Sequence, residues 1–235
     1  MIALAAPAQA QDGGDGFLFR APTVALTVRA GVAAASARSD LFDFAMDTLT
    51  LGRRDFAGLS LGAELAVGGP GSRIDAVFGV AYASSSAPSE FRNWVDADDR
   101  PIVQTTTLRR VPVTVGMRGY LLPRGRAIGR LAWVPARVAP YAGAGVGATW
   151  YRFRQEGDFV DFATRDVFGD SFETTGWGPS AYGSLGADVT LTPRIAVTVD
   201  ARYTYSRAAV GGDFDGFDQI DLSGVATTAG LTFRF

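Results

Sequence analysis

Apolar and polar residues alternate along most of this chain, most plainly from Val225 to Phe235. Counting back by twos from Phe235 meets Phe233, Leu231, Ala229, Thr227 and Val225, none of them charged, while Arg234, Thr232, Gly230 and Thr228 fill the intervening positions. Side chains on a pleated strand point alternately to opposite faces, so a period of two with one lipid-compatible row predicts a membrane-crossing strand. The pattern recurs upstream and predicts eight strands: Thr23–Ala35, Ala57–Gly68, Arg73–Ser85, Thr106–Leu121, Pro140–Arg154, Pro179–Thr192, Arg194–Arg207 and Ile220–Phe235. Each is longer than an ordinary soluble strand and long enough to cross a bilayer at a tilt.

The connections alternate in length. Gly69-Pro70-Gly71-Ser72 and the short Thr192-Pro193 link are compact Gly/Pro turns, whereas the first and second, third and fourth, fifth and sixth, and seventh and eighth strands are joined by long polar segments. Short turns on one side and long loops on the other predict an all-β, eight-stranded, antiparallel up-and-down transmembrane β-barrel, with its loops external. The link 122–139 is the exception, a long segment on the turn side; it carries Arg124, Arg126, Arg130 and Arg137, which would meet anionic headgroups or form an ordinary hydrated turn.

Placing the apolar rows outward sends Val24, Leu26, Val28, Ala30 and Val32 to lipid, with Leu59, Leu61, Ala63, Leu65 and Val67 beside them. The same rule turns Arg29, Glu64, Asp75, Arg110, Arg118, Asp188, Asp200, Arg202 and Arg234 into the lumen. An eight-stranded interior holds little more than its own side chains, so these charges must pair or keep water, which predicts a plugged interior. Strand five turns Ala142 to Trp150 outward by twos, and with them Arg152 and Arg154, above the hydrocarbon. Tyr82, Trp150, Tyr151, Phe153, Trp177, Tyr203 and Tyr205 at the loop side, with Trp133 and Tyr141 at the turn side, read as interfacial girdles.

Composition removes several chemistries. Cysteine and histidine are absent, which excludes disulfides, thiolate metal sites and Ser-His or Asp-His catalysis. All 22 basic residues are arginine, a coding bias rather than a function, and a net charge of −2 carries no nucleic-acid footprint. No apolar run approaches the ~18 residues of a membrane helix. Residues 1–10 read as the remnant of a secretory signal peptide from a truncated start, ending in Ala8-Gln9-Ala10, with a flexible Ala/Pro tail as the alternative; residues 11–235 then form one barrel domain.

The C-terminal strand ending in Phe235, the segment Pro140-Tyr141-Ala142-Gly143-Ala144-Gly145-Val146-Gly147 and the eight-strand layout resemble the small bacterial outer-membrane β-barrels, among them the OmpA transmembrane domain, OmpX, OmpW and the opacity proteins. The resemblance implies a Gram-negative outer membrane, contact with its lipid and lipopolysaccharide, a monomer, and insertion by an assembly machinery that reads Leu231, Phe233 and Phe235. Against the OmpA pattern, no peptidoglycan-binding domain follows Phe235 here, so a cell-wall tether is unsupported.

No cofactor is indicated. The Gly143-x-Gly145-x-Gly147 run lacks a βαβ context and reads as room for close packing. Acids and aromatics crowd the third external loop (Asp158, Phe159, Asp161, Phe162) and the fourth (Asp213, Phe214, Asp215, Phe217, Asp218, Asp221), which makes these the candidate partner surface. Their carboxylates around glycine could take Ca²⁺, but the spacing is not that of an EF-hand. The leading expectation is a non-enzymatic barrel with a structural or surface-interaction role; the alternative is a narrow OmpW-like channel or carrier for small or hydrophobic solutes.

Overall fold

The computed structural model describes residues 16–235 apart from Arg130, Phe162 and Arg165. The signal-peptide remnant, Arg130 and Phe162 therefore lie outside the described residues. In chain order the strands are β1 (Val24–Ala35), β2 (Ala57–Gly68), β3 (Ile74–Val95), β4 (Pro101–Tyr120), β5 (Gly125–Ile128), β6 (Ala132–Pro135), β7 (Val138–Val160), β8 (Val167–Thr192), β9 (Ile195–Ala209), β10 (Gln219–Asp221) and β11 (Gly224–Arg234). Nine of them make one sheet in the order β10-β9-β11-β1-β2-β3-β4-β7-β8, and a further β8–β9 pairing closes eight of the nine into a ring from which β10 hangs as a flap. Every ladder in the ring is antiparallel.

Alternation sets the two surfaces. Leu59, Phe78, Val146 and Leu185 are 55%, 55%, 60% and 66% exposed on the outside, while Thr27, Glu64 and Asp188, on the other parity, are buried within the ring. An apolar exterior around a polar interior inverts a soluble protein and matches hydrocarbon as the outer solvent. Tyr82, Trp177, Tyr203 and Tyr205 project outward near the loop-side ends, as girdle residues should.

The connections differ from the sequence expectation in three ways. The second and third external segments are not loops: β3–β4 stays paired up to Glu90↔Val103 and β7–β8 up to Val160↔Val167, so two hairpins rise well past the hydrocarbon. The first external segment holds a helix, α1 (Asp40–Thr48), with Asp40 and Asp43 in the first turn, where carboxylates suit the helix dipole. The long link on the turn side is the β5–β6 hairpin, with buried Trp133 tied to Leu18 by two backbone hydrogen bonds. The compact β2–β3 turn bends at Gly71, whose φ of +74° is left-handed and suits glycine.

One seam is incomplete. In the β3–β4 ladder Val80 faces Val113 and Ala83 faces Arg110 in the same register, but Ala81 and Tyr82 make no pairing with Val111 and Pro112. Pro112 has no N–H to donate to the neighbouring strand.

A ring in which every strand is paired to both neighbours should resist detergent until boiled. The folded protein is expected to migrate faster in unheated gels than in boiled ones, with a β-type circular-dichroism spectrum; identical mobility would be incompatible with the ring.

Candidate functional site

The interior is organised in layers. Nearest the turn side, Tyr120 and Thr198 donate to Asp188 at 3.1 and 2.7 Å, with Arg234 Nη2 at 3.9 Å from the same carboxylate. Thr198, Thr232 and Thr27 form a hydroxyl chain at 2.6 and 2.7 Å. Asp75 takes its cation from outside the ring: Arg124, in the link before β5, reaches in to 2.9 Å and lies over the Tyr120 ring. This corrects the reading of Arg124 as a headgroup contact; Arg126 and Arg137 remain exposed.

The middle layer centres on Glu64. Arg118 bonds its Oε1, while Arg202 and Arg29 approach Oε2 at 2.7 and 3.4 Å. Asp200 shares two of these cations, lying 3.5 Å from Arg29 and 3.6 Å from Arg202, and accepts a 3.0 Å bond from the Tyr141 hydroxyl. The guanidinium of Arg118 lies 4.2 Å over the Tyr141 ring, and that of Arg202 lies 4.3 Å over Tyr182. Room for these rings comes from glycine: a Cβ at Gly186 would sit 2.5 Å from Tyr141, and one at Gly145 would sit 2.6 Å from Tyr182. The glycine run of β7 thus includes a cradle for an aromatic wall.

Above this layer is a cavity of about 60 Å³, lined in part by Arg29, Ala81, Arg110, Pro112 and Asp200. At roughly 30 Å³ of liquid per water, it is sized for water rather than for a solute. Arg110 differs from its lumenal fellows in binding carbonyls, those of Leu222 and Ser223 at 2.8 and 3.3 Å, and so anchors the start of β11.

The outer mouth is closed by an apolar core. Leu41, Phe42 and Ala45 of α1 pack with Leu49, Leu51, Phe56, Phe91, Ile102, Leu108, Tyr151, Phe153, Phe214, Ile220 and Leu222. Rings run edge to face across the opening: Phe56 to Phe42 at 4.8 Å, Phe42 to Phe153 at 5.8 Å and Phe153 to Phe214 at 5.4 Å. This overturns part of the girdle assignment, because Tyr141, Tyr151, Phe153 and Trp133 are all buried and none faces lipid.

The external candidates divide. Phe159 is buried, 4.5 Å from Phe172 ring to ring, and Asp221 is buried too, accepting from the backbone N–H groups of Arg38 and Ser223 at 3.2 and 3.0 Å. Both therefore hold the structure in place rather than stand free as contacts, because the cap folds inward over the mouth. Phe217 is half-buried against the cap. Asp158, Asp213, Asp215 and Asp218 are exposed, Asp213 accepting from the Glu173 N–H at 2.9 Å. Asp161 is exposed but committed to its own turn: the N–H groups of Ala163 and Thr164 hold its carboxyl below the usual carboxylate range. Among the described residues no group of three or more carboxylates is placed to hold a metal. Arg152 and Arg154 face outward, 2.5 Å from Glu173 and 3.0 Å from Glu156. Leu231 and Phe233 line the outside of β11, and Phe235, just past its end, continues the same parity.

No protein-family model and no curated protein matches the chain. Among solved structures it is similar to Neisserial surface protein A, 12% identical with a TM-score of 0.48 over 95% of this chain and 100% of that one. It is also similar to Ail, the attachment invasion locus protein of Yersinia pestis, 14% identical with a TM-score of 0.43 over 91% and 99% of the two chains. The outer membrane protease OmpT of Escherichia coli is 9% identical, with a TM-score of 0.44 over 97% and 99%.

Glu64 faces three arginines, so its removal should cost more than that of any other lumenal acid. Glu64→Leu is expected to lower stability by about 3–5 kcal/mol, read as a drop in the urea midpoint of the lipid-inserted barrel, and Glu64→Leu with Arg118→Met by less. A single mutant unfolding at the wild-type urea concentration would mean that the cluster sits in bulk water.

Proposed function

We propose that the chain is a non-enzymatic barrel of the Gram-negative outer membrane, in contact with lipid and lipopolysaccharide, closed to ions and working through its outer surface. The single observation that carries this reading is the double closure of the lumen, by the ion pairs around Glu64 and by the aromatic cap from Phe56 to Phe214. A conducting pathway would have to pass both. Between them lies the water-sized cavity, which is too small to seat a solute and so gives the narrow-channel alternative little to build on. The non-enzymatic part is supported by a sequence without histidine or cysteine. A platform that spends a helix, two raised hairpins and an apolar core outside the hydrocarbon is suited to presenting a fixed surface, since binding residues concentrate on segments that a rigid scaffold positions. Of the candidates proposed for that surface, Asp158, Asp215 and Asp218 are exposed and able to take part, and Asp213 is exposed but holds the Glu173 N–H.

Two measurements test this. Purified barrel in planar bilayers should show no sustained current; steady single-channel currents that a bulky substitution at Ala81 abolishes would favour the channel. The outward row of Leu231, Phe233 and Phe235 is proposed to present the assembly signal, so Phe235→Ser should reduce folded barrel in outer membranes while export across the inner membrane continues. Wild-type folded yield from that variant would remove the role.

A further inference from the structure

A second cavity, of about 270 Å³, lies in the external cap between α1, the two raised hairpins and the segment before β10. Its walls are mainly phenylalanine: Phe159, Phe168, Phe172, Phe214 and Phe217 all contribute. Phe168 is partly exposed, and Phe44 is 47% exposed against the same space, so the cavity opens to the external medium. One wall residue is out of character. Gln104 is only 4% exposed, and its side-chain oxygen is buried with no hydrogen-bond partner, although the side chain borders this cavity. Gln155, also in the wall, donates to Thr106 at 3.4 Å. A buried amide oxygen without a donor loses its hydration and gains nothing in return, and such groups call for a particular explanation.

We propose that this cavity is a binding site for a small, neutral, planar aromatic molecule carrying one hydrogen-bond donor, which it gives to Gln104. The size, the aromatic character, the donor and the exclusion of an anion come from the site. The volume lies just under the ~300–1,000 Å³ of pockets for drug-sized ligands, so it takes one or two fused rings. Phenylalanine walls favour an aromatic guest, stacked offset or edge to face. The Asp213 carboxylate borders the same space and disfavours an anion. Phe214 in the wall meets Phe153 of the mouth plug edge to face at 5.4 Å, which ends the cavity above the lumen and makes it a place of capture rather than an entrance. The proposal rests on the reading of the outer end as the working surface and adds what that surface takes.

The test uses the whole barrel in lipid nanodiscs, with empty nanodiscs as the reference. Indole, which has one N–H, is titrated calorimetrically against 1-methylindole, which has none. Wild type should bind indole saturably and ~3- to 10-fold more tightly than its methylated partner, the span of one neutral hydrogen bond. Gln104→Leu should bind both equally, at the weaker level. Thr48→Trp, which fills the space from a half-buried position on α1, should bind neither; heat-modifiable migration reports that each variant has folded. If Gln104→Leu does not fold, the indole preference of wild type and the loss in Thr48→Trp decide the matter. No saturable uptake above empty discs, uptake that Thr48→Trp leaves intact, or equal affinity for the two probes would each overturn the assignment. Conductance on the same sample keeps the outcomes apart: a silent barrel that binds no indole loses this site alone, and a conducting barrel that binds it loses the closed-lumen reading alone.

Discussion

An eight-stranded ring encloses a space about one layer of side chains deep, and the rest of the molecule follows from that. Closing the ring satisfies the backbone against lipid, but it leaves no room in which inward side chains can stay fully hydrated. Glu64, buried from β2, must find its partners across the lumen, and it finds Arg118 on β4, Arg202 on β9 and Arg29 on the adjacent β1. Strands far apart in the chain are thereby joined by charge as well as by backbone. Sharing matters, because Arg29 and Arg202 each serve both Glu64 and Asp200, and a side chain fixed for one contact needs no further ordering for the second.

Above the hydrocarbon the logic reverses. Outside lipid, with water around the chain, the ordinary hydrophobic effect becomes available again, and the cap uses it. Leu41, Phe42 and Ala45 seat α1 on the mouth, and the raised hairpins supply Phe91, Ile102, Phe153 and Val160 from their inward faces. The molecule thus consists of a charged interior held in a greasy tube and, continuous with it, a small soluble-type core on top. The same strands β3, β4, β7 and β8 serve both, changing what they bury as they leave the membrane.

The membrane-embedded half was readable because lipid imposes a strict period of two, and the parity that sent Val28 outward sent Arg29 inward. Parity also held the answer for the misassigned aromatics. Once Trp150 faces out, Tyr151, Phe153 and Tyr141 must face in, but aromatic residues near strand ends suit an interfacial belt as well as a core. The raised hairpins were hidden for another reason. Their buried faces interleave Ser85, Ala87, Ser89 and Gln104 with Phe91, Ile102, Phe153 and Val160, and the polar or small members break up what would otherwise register as an apolar stripe. The helix was legible in principle from the spacing of Leu41, Ala45 and Leu49, which a search for strands alone passes over. Which lumenal acid meets which arginine was not legible at all, since it depends on strand register and tilt, and those are settled by the closed ring rather than by any one strand.

The gap at Pro112 has a further meaning for how such a cylinder comes apart. A ring of strands is only as durable as its least-tied neighbours, and around this circumference the β3–β4 boundary beside Ala81 is where two successive cross-strand pairings are missing. That place also borders the water-sized cavity, so the weak link has unfilled space rather than packed side chains against its inner side. Opening therefore has a preferred starting line, and the amides of Ala83 and Val113 flank it. The barrel is a zipper with two adjacent teeth left out, and the fault lies between its two most plainly different worlds, the ion-paired tube below and the aromatic lid above.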